Sequence, residues 1–176
     1  MARKKFKTGL IHVYTGGGKG KTTAALGLAI RAAGSGLKVS IHQFVKKGEY
    51  GELKALKKIK NIAIRQCGGR CFVKGKPKYG DVERAKNGFK AAARDINSCK
   101  YDLVILDEIN IALKLGLIKT KDVISLIIRK PKGVELVLTG RGSPAAVLKK
   151  ADLITEMREI KHPFKLGVRA RAGIEY

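Results

Sequence analysis

The run Tyr14-Thr15-Gly16-Gly17-Gly18-Lys19-Gly20-Lys21-Thr22-Thr23 constrains this chain more than any other segment. It follows an apolar stretch, Leu10 to Tyr14, and opens an alanine- and leucine-rich run from Ala24 to Ala33. Strand, glycine loop and helix in that order form a phosphate-binding loop. Glycines let backbone N–H groups crowd around phosphate oxygens, and the helix N-terminus adds partial positive charge. Lys21 supplies a cation that reaches phosphates, and the Thr22 hydroxyl a ligand for magnesium. In the standard spacing, G-x-x-x-x-G-K-[ST], the first position is glycine; counting back from Gly20-Lys21-Thr22 places Thr15 there. The spacing therefore predicts nucleotide binding in a pose that departs from the usual one.

The rest of the chain supports one fold class. Short apolar strands are expected at 9–14, 38–45, 61–66, 101–107, 134–139 and 152–160, with helices at about 21–34, 51–59, 81–98, 121–130 and 144–150. This alternation predicts an α/β, three-layer fold of the P-loop NTPase type, a mostly parallel sheet flanked by helices. Asp81 is expected to cap the helix at 81–98, where Val82, Ala85, Phe89, Ala92 and Ile96 recur at helical spacing. Ser143-Pro144 reads as another start, with serine as the cap and proline at the first helical position. The helix after the loop is apolar nearly all round and is expected to be buried. Segment 68–80 is a glycine- and lysine-rich loop long enough to suggest function, and 162–176 lacks strong periodicity.

With 176 residues the sequence fits a single domain, 1–176. Its apolar runs are too short for a membrane span. The basic start lacks the apolar core of a signal peptide, and three cysteines form no disulfide framework, so the cytoplasm is the expected compartment. Cys67 and Cys71 lack the further ligands a zinc site needs. His12 and His42 sit inside apolar strands and read as packed groups. The net charge of +24 is spread along the chain without an arginine cluster. It fits a lysine-rich surface, with attraction of a phosphate-rich ligand as the functional alternative and nucleic acid not favoured.

Two further segments carry chemistry. Leu103-Val104-Ile105-Leu106-Asp107-Glu108 is a buried strand delivering two carboxylates to the sheet edge where ligands of open α/β sheets lie. Asp107 or Glu108 would then bind magnesium directly or through water, with helix capping the structural alternative for Asp107. Leu138-Thr139-Gly140-Arg141-Gly142 ends another strand at the same edge; Arg141 would contact a phosphate, pair with a carboxylate, or sit exposed in a turn. Physics alone stops at a magnesium-dependent α/β enzyme using ATP or GTP.

The stretches Val13 to Ala29, Leu106 to Asn110, Leu138 to Gly142, Thr155 to Phe164 and the closing Gly167 to Tyr176 resemble the ATP:cob(I)alamin (corrinoid) adenosyltransferases of the phosphate-loop type. The resemblance runs from about residue 9 to the end, and Glu156-Met-Arg-Glu-Ile-Lys-His-Pro-Phe164 is its most specific part. It implies that a Co(I) corrinoid attacks the 5′-carbon of ATP and expels triphosphate, in cobalamin synthesis or salvage. The nucleotide then lies reversed relative to ordinary phosphate-loop enzymes, which suits the missing first glycine. The resemblance assigns Thr15, Gly16, Gly17, Gly18, Lys19, Gly20, Lys21, Thr22, Thr23 and Arg141 to ATP. Lys21, Thr22 and Glu108 are the implied catalytic set, and Thr22, Asp107 and Glu108 the implied holders of Mg²⁺ or Mn²⁺. Some members carry a Phe-x-Trp pair that helps strip the lower axial ligand from cobalt; here Phe72 fits and Lys74 stands in place of Trp. Either Phe72 and Tyr79 close the corrinoid pocket, or the corrinoid is handled differently. The family also implies a homodimer and a flavoprotein or other reductase as electron donor. The competing reading is a nucleic-acid-stimulated P-loop ATPase, suggested by the charge.

Overall fold

A computed structural model describes residues 6–45, 48, 50–69, 75 and 77–175. Six strands form one sheet: β1 Ile11–Thr15, β2 Val39–Gln43, β3 Ile62–Gln66, β4 Leu103–Asp107, β5 Glu135–Thr139 and β6 Leu153–Glu156. Their order is β3-β2-β4-β5-β1-β6, and every pairing is parallel. The helices are α1 Lys21–Gly34, α2 Gly51–Leu56, α3 Tyr79–Asn97, α4 Ile109–Lys114, α5 Thr120–Arg129 and α6 Ala145–Leu148, followed by a 3-10 turn at Pro163–Leu166.

Strand alternation divides the core into two layers. Val39, Ile41, Leu103, Ile105 and Val137 pack with Ala25, Leu26, Ala29, Ala32 and Ala33 of α1. Val104, Leu106, Leu136 and Leu138 face the opposite way, onto α3, α4 and α5. Both faces of the central strands are thus covered, which is why β2 and β4 are buried at every position and β4 reads as an apolar run. Truncating a fully buried core leucine such as Leu106 to alanine would cost about 2–5 kcal/mol.

The two polar side chains on the α3 face of β2 are matched by an acid. Asp95 of α3 accepts hydrogen bonds from Ser40 Oγ at 2.7 Å and Arg65 Nη1 at 2.9 Å, and lies 3.0 Å from His42 Nε2. Burial would raise the Asp95 carboxyl, but Ser40, Arg65 and His42 together hold it below its usual range. Burial lowers His42 despite Asp95 beside it. His42 is therefore a packed, hydrogen-bonded group, as the sequence suggests. Cys67 is likewise structural: it lies against α3 where a Cβ on Gly88 would come within 2.3 Å of its own, and burial pushes its thiol up to about 11.

Several boundaries differ from expectation. The long helix begins at Tyr79, with Lys78 at its cap and Asp81 in the first turn, where its carboxylate accepts the Lys78 N–H. Ser143 does not cap α6: Pro144 holds that position and the Ser143 hydroxyl is buried without a hydrogen-bond partner. Helix α4 lies directly behind β4, entered through a left-handed Glu108 that a strand pattern does not announce. The cap position of α4 is held by Glu108, one residue after Asp107. α1 is buried on one face only; Ile30 is 52% exposed. β6 ends at Glu156, four residues short; Met157 N–H still bonds Thr15 O of β1, but its carbonyl turns to the phosphate loop at Gly18. Among the described residues, no helix is long and apolar enough to cross a membrane.

Candidate functional site

Because all six strands run parallel, the loops after β1, β4 and β5 meet at one sheet edge with the ends of β2 and β6. Thr15 is the last residue of β1, and its Oγ1 accepts the Ser143 N–H at 3.3 Å. The left-handed glycine falls one position later: Gly16 has φ +96°, and a Cβ there would come within 2.4 Å of Met157 O. Gly18 is just as constrained, since a Cβ would lie 2.8 Å from backbone atoms of Met157 and Arg158. The cause is a strand-like continuation of β6. Met157 N–H donates to Thr15 O at 2.8 Å and Gly18 N–H donates to Met157 O at 2.7 Å. The loop glycines therefore serve the chain's own C-terminal segment as well as any ligand.

Lys21 is 6% exposed, and its amine donates to Gly16 O at 2.9 Å and Gly18 O at 2.5 Å, folding the loop around the cation. Thr22 Oγ1 donates to Asp107 Oδ1 at 2.9 Å. Gln43 Nε2 approaches Asp107 Oδ2 at 3.4 Å. Asp107 is wholly buried beneath the loop, whereas Glu108 is partly exposed. Lys19 turns outward: its Nζ donates to Glu175 Oε1 at 2.8 Å and lies 3.3 Å from Ile174 O.

A cavity of about 630 Å³ opens here, within the usual range for small-molecule sites. Gly18, Lys19, Gly20, Lys21, Thr22 and Thr23 form its floor, with Glu108 and Arg141 at one side. Leu26, Gly27 and Ile30 of α1 give it an apolar flank, which explains why Ile30 is left out of the core. Gly51 and Glu52 of α2, His162, and Gly173, Ile174 and Glu175 complete the wall. Lysine, arginine and carboxylate groups thus share one opening, suited to a polyanion accompanied by a cation.

The structure brings together Gly18 to Thr23, Glu108 and Arg141, with Asp107 underneath. Tyr79 is 83% exposed at the start of α3 and does not line the cavity. Phe72 and Cys71 lie outside the described residues. The sequence reading missed Glu52, Ile30 and the tail 173–175 as site residues. The closing Ala-Gly-Ile-Glu-Tyr stretch was visible, but no spacing rule places a chain end over a loop near position 19.

The donor set fits a hard divalent cation. Thr22, Asp107 and Glu108 offer only oxygens, and no group of three or more His, Cys, Asp or Glu side chains able to hold a metal occurs among the described residues. Two carboxylates and a hydroxyl beside a phosphate cradle match magnesium, which takes its remaining ligands from phosphate and water.

Sheet, loop and acid pair define a P-loop nucleotide-binding protein. In fold the chain is similar to the cytoplasmic domain of EssC (TM-score 0.57, 17% identity, 93% of this chain and 34% of that one). It is also similar to a KaiC-like protein from Pyrococcus horikoshii (TM-score 0.54, 16% identity, 88% and 75%). Residues 7–176 match the family ATP:corrinoid adenosyltransferase BtuR/CobO/CobP. The corrinoid adenosyltransferase of Pseudomonas aeruginosa is 34% identical over 178 residues, covering 100% of this chain and 88% of the relative. That of a Sinorhizobium species is 36% identical over 180 residues, covering 100% and 84%. The chain belongs to the ATP:corrinoid adenosyltransferase family, enzymes that transfer the adenosyl group of ATP to a corrinoid.

Proposed function

We propose that residues 1–176 act as one domain in which a Co(I) corrinoid displaces triphosphate from the 5′-carbon of ATP. The cobalt electron pair forms the Co–C bond, the C5′–O bond breaks, and its electrons leave with the triphosphate; cobalt passes from Co(I) to Co(III). One observation carries this reading: the 155–164 stretch, which simple ATP hydrolysis does not need, is bonded to the phosphate loop through Met157. The loop is thus a cradle for a leaving polyanion, and its demands are positioning and charge neutralisation.

In this reading the N–H groups of residues 16, 17, 19 and 20 meet the phosphates, while that of Gly18 stays on Met157 O. The Lys21 amine joins them, exchanging its loop carbonyl contacts for phosphate oxygens. Arg141 and Lys19 reach the outer phosphates from the rim. Thr22, Asp107 and Glu108 hold Mg²⁺ or Mn²⁺, which when bound offsets charge on the departing oxygen. The nucleophile is the substrate's own metal, so no protein base is required. The apolar flank of Leu26, Gly27 and Ile30 receives the nucleoside or the corrinoid rim.

On the corrinoid side, Phe72 and Tyr79 are the candidate contacts. Phe72→Ala should slow the reaction of cob(II)alamin more than that of pre-reduced cob(I)alamin, and equal effects would reduce Phe72 to packing. The same reading includes a cytoplasmic homodimer served by a flavoprotein or other reductase. Ile160 (95% exposed), Phe164 (74%) and Leu166 (71%) provide apolar surface for a second copy. The decisive assay supplies Co(II) corrinoid, a reductant, ATP and Mg²⁺: adenosylcorrinoid and triphosphate should appear in equal amounts. Orthophosphate without a cobalt–carbon product would overturn the proposal.

A further inference from the structure

Asp107 and Glu108 are consecutive, yet they do different jobs only if the backbone turns sharply between them. Glu108 makes that turn at φ 60°, a left-handed conformation uncommon for a residue other than glycine. The conformation aims the Glu108 N–H away from the β4 ladder, and a buried N–H needs an acceptor. Thr139, the last residue of β5, supplies it: Glu108 N–H donates to Thr139 Oγ1 at 2.9 Å. The same hydroxyl has one proton, and it donates this to Asp107 Oδ1 at 2.7 Å.

We propose that Thr139 is the positioning residue of the acid pair, its single hydroxyl fixing the Asp107 carboxylate and the Glu108 turn together. The donor and acceptor roles are forced. A backbone N–H only donates, so the hydroxyl accepts from Glu108 and its one proton is left for Asp107 Oδ1. Asp107 Oδ1 then accepts from two hydroxyls, Thr22 at 2.9 Å and Thr139, which fixes the carboxylate between α1 and β5. The threonine methyl restricts χ1, so the hydroxyl stays aimed without a further partner. Thr139 is wholly buried and, unlike Glu108, is not among the residues lining the cavity, so it acts through the acid pair. Its neighbour completes the fit: a Cβ on Gly140 would lie 3.2 Å from Glu108 Oε2 and 3.0 Å from Asn110 Cβ.

This inference rests on the proposed cation site at Thr22, Asp107 and Glu108, and its test separates the two. Mn²⁺ binding to the full-length protein with ATP present is followed by electron paramagnetic resonance, and ATP binding alone is measured in EDTA. Thr139→Val keeps nearly the same shape and removes both hydrogen bonds. It should weaken Mn²⁺ binding roughly 10- to 100-fold, the usual effect of losing a group that orients metal ligands. ATP affinity in EDTA should stay within about twofold, which a general loss of structure would not allow. Thr139→Ser keeps the hydroxyl and should bind Mn²⁺ within about threefold of the parent. Unchanged Mn²⁺ affinity in the valine variant, or an equal loss of ATP affinity in EDTA, overturns the role of Thr139. So does a tenfold loss in the serine variant, which decides the matter even where the valine variant does not fold. A parent protein that binds no Mn²⁺ with ATP present overturns the cation site and this inference with it.

Discussion

Gly18 shows how closely single residues are fitted at this site. It is buried, its N–H donates to Met157 O, and a Cβ would meet three backbone atoms of Met157 and Arg158 at 2.8 Å. Backbone cannot rotate aside as a side chain can, so Gly18→Ala must push the loop and the 157–158 segment apart. Displacing a catalytic constellation by about 1 Å can cost on the order of 10²-fold in rate. Gly18→Ala should therefore lose about 10- to 100-fold in ATP affinity and turnover, whereas Gly17→Ala, with nothing within 4 Å of its would-be Cβ, should lose far less. Isothermal titration with ATP distinguishes them; equal losses would show that loop flexibility, not the close approach, sets the requirement. Thr15 belongs to the same account. The spacing rule flagged it as a missing glycine, and the reason lies in a contact no spacing rule contains: the left-handed turn sits at Gly16 because Thr15 still belongs to β1 and bonds the Ser143 N–H.

Among the elements, the C-terminal segment departs furthest from what a repeating pattern can reveal. Strands β4 and β5 were legible as apolar runs buried on both faces, β1, β2 and β3 by apolar residues at alternate positions, and α1, α3 and α5 because their apolar spacing is helical. Helix α4 was not, since six residues carry too few turns for periodicity and its entry is a left-handed Glu108. The tail was not because it buries no large apolar side chain and is held by ions. Arg171 and Lys19 both bond the Glu175 carboxylate, Arg171 foremost, and hold it down to about 2 from an ordinary value near 4.5. A depressed carboxyl stabilises its contacts fully above the ordinary value, and that contribution fades as pH falls and is gone below the folded value. The closed tail should accordingly be constant from neutral pH down to about 4.5 and open progressively toward about 2. The Glu175 amide, which donates to Arg171 O at 2.9 Å, reports this through its hydrogen-exchange protection factor. In Glu175→Gln the protection should be lower and flat across the same range. A parent profile that is also flat would show that the tail is held by something other than the carboxylate.

For the whole molecule, the net charge of +24 is the property the enzyme assignment does not consume. Its placement decides between a partner and a background. Exposed Lys54, Lys57 and Lys58 lie in and just after α2, on the α1 side of the sheet. Lys86 and Lys90 lie on α3 across the sheet, and Lys149 and Lys150 follow α6. Among the described residues, charge spread over opposite faces gives long-range attraction for any polyanion but no single track along which a duplex could lie. Binding of DNA or RNA should then be purely electrostatic, weakening about 10³- to 10⁵-fold between roughly 50 and 200 mM salt if several phosphates are neutralised. It should not couple to chemistry, because Gly173, Ile174 and Glu175 of the chain's own tail form part of the cavity wall beside the phosphate loop. Orthophosphate release from ATP is measured with and without an oligonucleotide at both salt concentrations. No stimulation is expected at either. A stimulation that survives at the higher salt would mean that nucleic acid reaches the phosphate loop, and would favour the ATPase reading over a surface that is merely basic.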